Sequence, residues 1–174
     1  MWDSAAPELP EGTHSVLVLA SASDGADACA GLAAGAERVL LVGYGNLTAE
    51  ALRDRLESRA ETEPPVRALG VGEDVDHGDL TRQGIAVAES LSPDTAVCVD
   101  GLGSLLGRAD REPVFQFVHS LAERCAESSA AMHYHLDPAA VDDRSVAALS
   151  TLMDAVVRVE AESVEVRPEL TAKD

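Results

Sequence analysis

The sequence predicts an α/β fold: three αβα layers around a mostly parallel sheet, with a hairpin at its C-terminal edge. Three observations carry this. Short apolar runs alternate along the chain with segments of helical periodicity, the pattern of successive βα units. Hydrophobic residues make up 46% of the chain and aromatics only 3%, so the apolar positions are mostly Ala, Val and Leu, the diet of parallel strands buried under helices. The length of 174 residues supports one core without metal or disulfide staples. A single domain is expected over 14–168, between a flexible N-terminal arm, 1–13, punctuated by Pro7, Pro10 and Gly12, and a short tail, 169–174.

The elements follow in order. "HSVLVLA" is a short apolar strand, and Asp24 to about Ala34 a helix of small residues. "RVLLVGY" is the second strand; "TAEALRDRLESRA" is a helix opened by Thr48 with an acid in its first turn. "VRALGVG" is a weaker third strand, and "DLTRQGIAVAESL" a helix with Ile85, Val87, Ala88 and Leu91 as its apolar positions. "TAVCVDGL" is the fourth strand, "PVFQFVHSLAERCAESS" its helix and "AAMHYHLD" the fifth strand. "DRSVAALSTLMD" is a last helix, and "AVVRVEAESVEVRP" divides into two short strands of an edge hairpin, whose exposed side would permit strand pairing with a partner. Right-handed crossovers between five βα units put any ligand outside the carboxyl ends of the strands. "GVGEDVDHGDL" between the third strand and its helix has acids that do not follow the EF-hand order, and reads as a solvated loop.

Charge narrows the function classes. The chain carries 31 acidic and 13 basic residues, a net charge of -18, and this field repels nucleic acid and anionic membrane surfaces. Of the basic residues 12 are Arg and the one Lys is Lys173; acidic excess with almost no Lys is the profile of a salt-adapted cytoplasmic protein. Cys29, Cys98 and Cys125 lie in apolar segments without a C-x-x-C pair and read as small buried hydrophobes in a reducing compartment. No apolar run approaches a membrane span, and from the acidic start "MWDSAAPELPEG" no signal peptide is expected.

The strand exits are the places to look for chemistry. Laid on the phosphate-loop pattern G-x-x-x-x-G-K-[ST], Gly25 fits the second glycine, but Ala20 replaces the first, Ala26 the lysine and Asp27 the hydroxyl residue. The chemistry needs that lysine on the phosphates and that hydroxyl on magnesium. Asp24 and Asp27 would instead face the phosphates, and like charges about 4 Å apart near a surface repel by roughly 4 kcal/mol. The expectation is that Asp24 caps the helix and Asp27 serves its first turn, so that carboxylates fill the anion site. The fourth strand ends in Asp100, in the form of a strand whose terminal aspartate reaches magnesium.

The order of these pieces, including "RVLLVGYGNLTAEALRDRL" and with "VDGLGSLL" and "HYHLDP" as the most particular, resembles the RecA/KaiC-type ATPase core of the P-loop NTPase class and, more narrowly, the small haloarchaeal proteins called HTR-like, over about Ser15 to Arg167. The resemblance implies that Asp100 matches the Walker B aspartate. It also implies a catalytic glutamate just after the second strand, where Gly45 and Asn46 stand instead. With the lysine missing as well, the implied protein is a pseudo-ATPase with no cofactor, acting through a protein partner in regulation or signalling, as monomer or homodimer. A degenerate nucleotide site would comprise Asp24, Gly25, Asp27 and Asp100.

The rival reading is a metal-dependent hydrolase, or a protein that binds Mg-nucleotide in an unfamiliar mode. Along "MHYHLDP" the side chains of His133, His135 and Asp137 project on one face of a strand. Two imidazoles spaced i, i+2 suit Zn²⁺, and Asp100 from a nearby strand would complete an open, water-activating site. The plainer alternative is a pair of structural histidines bonded to Asp100 or to backbone. His77 and His119 lie elsewhere in the sequence.

Overall fold

A computed structural model describes residues 9–58, 64–69, 78–160 and 163–168. Most of the expected arm, all of the tail and residues 70–77 of the acidic loop lie outside the described residues. Seven strands form one sheet: β1 (Ser15–Leu19), β2 (Arg38–Gly43), β3 (Val66–Leu69), β4 (Thr95–Asp100), β5 (Ala131–Leu136), β6 (Ala155–Glu160) and β7 (Ser163–Pro168), in the spatial order β3-β2-β4-β5-β1-β6-β7. The first six run parallel, and β7 returns antiparallel to β6 as the expected edge hairpin. The helices are α1 (Ala22–Ala33), α2 (Ala49–Glu57), α3 (Leu80–Ala88), α4 (Leu102–Arg108), α5 (Arg111–Glu127) and α6 (Asp143–Ser150).

Both sheet faces are covered, which is why β1 and β4 are buried along their whole length and read as unbroken apolar runs. Leu17, Leu40, Val97 and Tyr134 share one face with Val87 of α3, Val118 of α5 and Leu149 of α6. The opposite face sets Val39, Leu41 and Cys98 against Cys29 and Ala30 of α1 and Leu52 and Leu56 of α2. A buried hydrogen bond from the Tyr44 hydroxyl to Gln83 Oε1 ties the end of β2 to α3, and burial pushes the Tyr44 pKa up.

Three local expectations change. Helix α1 begins at Ala22, and its cap is Ser21, whose Oγ accepts from the Asp24 N–H at 3.4 Å. Asp24 is therefore not the cap; it stands in the first turn, where its charge meets the positive helix end. Helix α4 follows β4 after one residue, because Gly101 takes a left-handed φ of 78° and turns the chain at once; the strand had been expected to continue to Leu102. All three cysteines are buried, as small hydrophobes would be, but Cys29 and Cys98 are joined as a disulfide. The small side chains of α1 bring that helix close enough to β4 for the bond to form.

Two outcomes test this packing. Ala30 is fully buried on the sheet-facing side of α1, so Ala30→Leu overfills the helix–sheet contact and is expected to lower stability by about 1–3 kcal/mol, whereas Ile85→Ala, at a side chain 55% exposed, changes it by less than about 0.5 kcal/mol; urea unfolding followed by circular dichroism in molar KCl measures both. Cys125 donates to the Ala130 carbonyl at 3.1 Å, and burial, reinforced by the Asp154 charge, pushes its thiol up to about 12. Peptide mapping after maleimide treatment should find Cys125 unmodified in the native chain and modified once it is unfolded.

Candidate functional site

The carboxyl ends of β1, β2, β4 and β5 open into one cleft of about 390 Å³, the position at which open α/β sheets bind ligands. Ser21, Gly25 and Ala26 line it from the β1–α1 junction, Gly45, Asn46 and Leu47 from the β2 exit, Asp100 and Ser104 from β4 and α4, and His135 and Asp137 from the β5 exit. Arg55 reaches it from α2.

Asp100 is the fixed point of the cleft. Only 8% of the residue is exposed, and its Oδ2 accepts from the Leu47 N–H at 3.0 Å. Burial raises the pKa of the carboxyl, and the Leu47 N–H pulls the other way. The carbonyl of Asp100 accepts from the Tyr44 N–H at 2.8 Å, so the β2 exit folds across the end of β4. This crossing works only with glycine on both sides: a Cβ on Gly45 would stand 2.7 Å from Asp100 Oδ2, and one on Gly101 would land on the Gly45 backbone.

The β1–α1 junction is built differently from a phosphate cradle. Only Ala20 and Ser21 separate β1 from α1. The Gly25 N–H is used inside the helix, donating to the Ser21 carbonyl at 2.7 Å. Asp27 is held by Arg55, Nε to Oδ1 at 2.8 Å, with both side chains partly exposed. Neither Asp24 nor Asp27 lines the cleft, while Gly25 and Asp100 do, so the four residues expected at a degenerate nucleotide site divide into two pairs. The expected filling of the anion site by Asp24 and Asp27 is thus replaced by a helix that starts early and an ion pair beside the cleft. Arg55 was not singled out from the sequence: it sits among other charges in "LRDRLESR", and only the docking of α2 against α1 selects it.

The histidines also part company. His135 lies in the cleft, with Nδ1 4.0 Å from Asp100 Oδ1, beyond hydrogen-bond reach. Burial, reinforced by His133, pushes the His135 pKa down to about 3, so this neutral ring forms no ion pair with Asp100 at neutral pH. His133 is more buried, with its pKa pushed down to about 4 by burial. His133 Nδ1 and both ring nitrogens of His135 are buried without a hydrogen-bond partner, so His135 is not bonded to Asp100 or backbone as the plainer alternative expects, and His133 is not so bonded through Nδ1. Among the described residues the donor atoms of His133, His135 and Asp100 do not gather into one metal-sized group; the group that does gather is Cys29, Cys98 and His133.

A family model described as "Family of unknown function (DUF7504)" matches residues 13–159. The chain belongs to this family. No curated protein matches it in sequence. Among solved structures it is similar to the flagellar accessory protein FlaH from Methanocaldococcus jannaschii, at 12% identity and a TM-score of 0.60, covering 91% of this chain and 77% of that one. It is also similar to a KaiC-like protein from the hyperthermophilic archaeon Pyrococcus horikoshii, at 11% identity and a TM-score of 0.62, covering 92% and 81%. At these identities the likeness establishes the fold, a RecA/KaiC-type core. No described helix is long and apolar enough to cross a membrane.

The glycine crossing is directly testable. Gly101→Ala places a side chain at a left-handed φ and against backbone, and is expected to cost more than about 1 kcal/mol in urea unfolding. Gly107→Ala, in α4 with open space around its Cβ position, should be neutral or slightly stabilising.

Proposed function

We propose that the chain is a non-catalytic RecA/KaiC-like module, a haloarchaeal HTR-like protein in its narrower kinship, which works in the cytoplasm of a salt-adapted archaeon by binding another protein in regulation or signalling. The observation that carries this reading is the two-residue β1–α1 connection. A phosphate loop works by turning several backbone N–H groups inward and presenting a lysine to the β and γ phosphates. Here Ala22–Gly25 are already helix, Ala26 and Asp27 stand where lysine and hydroxyl are needed, and Gly45 and Asn46 stand where a water-activating acid is needed. Phosphoryl transfer depends almost wholly on such positioning and charge stabilisation, so loss at two separate exits argues against turnover.

The charge of -18 favours a protein partner over nucleic acid or an anionic membrane, and the reading invokes no cofactor. Without a nucleotide to bridge subunits, monomer or homodimer is the expected state.

Calorimetric titration with ATP, ADP and GTP in Mg²⁺ and molar KCl tests the proposal, alongside an assay of phosphate release. The expected outcome is no saturable binding at millimolar nucleotide and no release. Sustained hydrolysis would overturn the proposal. Saturable binding weakened by Asp100→Ala, without hydrolysis, would replace the cofactor-free reading with that of a nucleotide sensor.

A further inference from the structure

We propose that Cys29, Cys98 and His133 form a buried three-donor site for one thiophilic d10 metal ion, Cu(I) in preference to Zn(II), available when the Cys29–Cys98 disulfide is reduced. The site is distinct from the cleft, and the proposal does not depend on whether nucleotide binds there.

Three separate elements supply the donors: Cys29 from α1, Cys98 from β4 and His133 from β5. Cys98 and His133 are direct cross-strand neighbours, on the face that α1 covers. One donor atom from each residue falls within 4.8 Å of the others. The Cα atoms of the cysteines are 6.5 Å apart, so two thiolates at these positions reach a common ion without moving the backbone.

A second observation points independently to a ligand. His133 is only 2% exposed, yet its Nδ1 has no hydrogen-bond partner. A purely structural histidine so deep in a core is normally bonded, because a buried polar atom left unpaired is destabilising. A metal ion bound through Nδ1 would supply that missing partner while converting two small buried side chains into ligands.

The donor set selects the ion. Two thiolates and an imidazole are soft to borderline ligands, suited to Cu(I) or Zn(II) and unsuited to Mg²⁺ or Ca²⁺. Structural Zn²⁺ is almost always four-coordinate, and the group contains three donors among the described residues, all too buried for water to supply a fourth from bulk. Cu(I) accepts three-coordination with such ligands. Opening the site takes two electrons and two protons. A phosphine reductant with water delivers both, the phosphine leaving as its oxide and the disulfide becoming two thiols; binding the ion then releases the two thiol protons.

The test uses the full chain, kept anaerobic under a water-soluble phosphine, desalted into molar KCl, and assayed for thiols in denaturant. Cu(I) is then titrated against a chromophoric Cu(I) chelator, and Zn(II) against its own indicator in parallel. The expected result is three thiols per chain and one equivalent of Cu(I) held against the chelator. Retention should fall at least tenfold in Cys29→Ser, Cys98→Ser and His133→Phe, with circular dichroism checking that each is folded, and should be unchanged in Cys125→Ser. A count of one thiol after reduction overturns the proposal, because the donors are then never available. So does failure to hold either ion, or retention that survives all three substitutions. Capture of Zn(II) but not Cu(I) overturns the three-coordinate assignment.

Discussion

Helix α1 lies directly on the sheet because its buried face is made of Ala26, Ala28, Cys29, Ala30 and Ala33. Larger side chains would hold the helix further out, and ridge-to-sheet distances are set by the residues at the contact. Close seating has two consequences at opposite ends of the same helix. At its N-terminus the chain leaves β1 and enters α1 within two residues, which leaves no slack for a loop around phosphate. About two turns further on, Cys29 reaches Cys98 across the helix–sheet boundary. The short β1–α1 junction and the buried sulfur pair both go with this close seating.

The other side of the cleft is held by a second close approach, between backbones. Gly45 and Gly101 pass so near that neither tolerates a Cβ without displacement, and this contact lets the Leu47 N–H meet the Asp100 carboxylate. Asp100 is therefore oriented by the β2 exit as well as by its own strand. A carboxylate this buried remains workable because a backbone donor compensates part of its lost hydration. The same crossing explains why α4 starts one residue after β4: the left-handed Gly101 is at once the turn and the point of contact.

The architecture was largely legible because parallel strands under helices write themselves as unbroken apolar runs. "VLVLA", "VLLVG" and "AVCVD" each became a buried strand of the sheet, and the hairpin at the edge followed from two short runs with no helix between them. Legibility failed where tertiary contact decides. Ser21 and Asp24 are both good caps, and sequence alone does not say which one the helix uses; in the structure the helix starts at Ala22 with Ser21 as its cap. The 69-residue separation of Cys29 and Cys98 carries no local signal, since their meeting depends on the strand order placing β4 under α1. The alternation along "MHYHLDP" correctly put His133 and His135 on one face, both buried on the side α1 covers, yet it gave no way to see that one histidine faces sulfur while the other lies 4.0 Å from Asp100.

The charge inventory of the cleft adds an argument independent of its shape. Asp100 and Asp137 line it, Arg55 is its one basic lining residue among those described, and Arg55 is already engaged with Asp27. His135 adds no positive charge, because burial holds its ring neutral. A polyphosphate entering this space would have to displace Asp27 from Arg55 to gain a single cation, while meeting two carboxylates, within a chain whose long-range field is already that of -18 charges. Molar salt screens the long-range field to about 3 Å but acts much less on buried or partly buried pairs. High salt would thus weaken the repulsion that keeps anions at a distance without supplying close donors to hold one, and the charge lining of the cleft disfavours a phosphate.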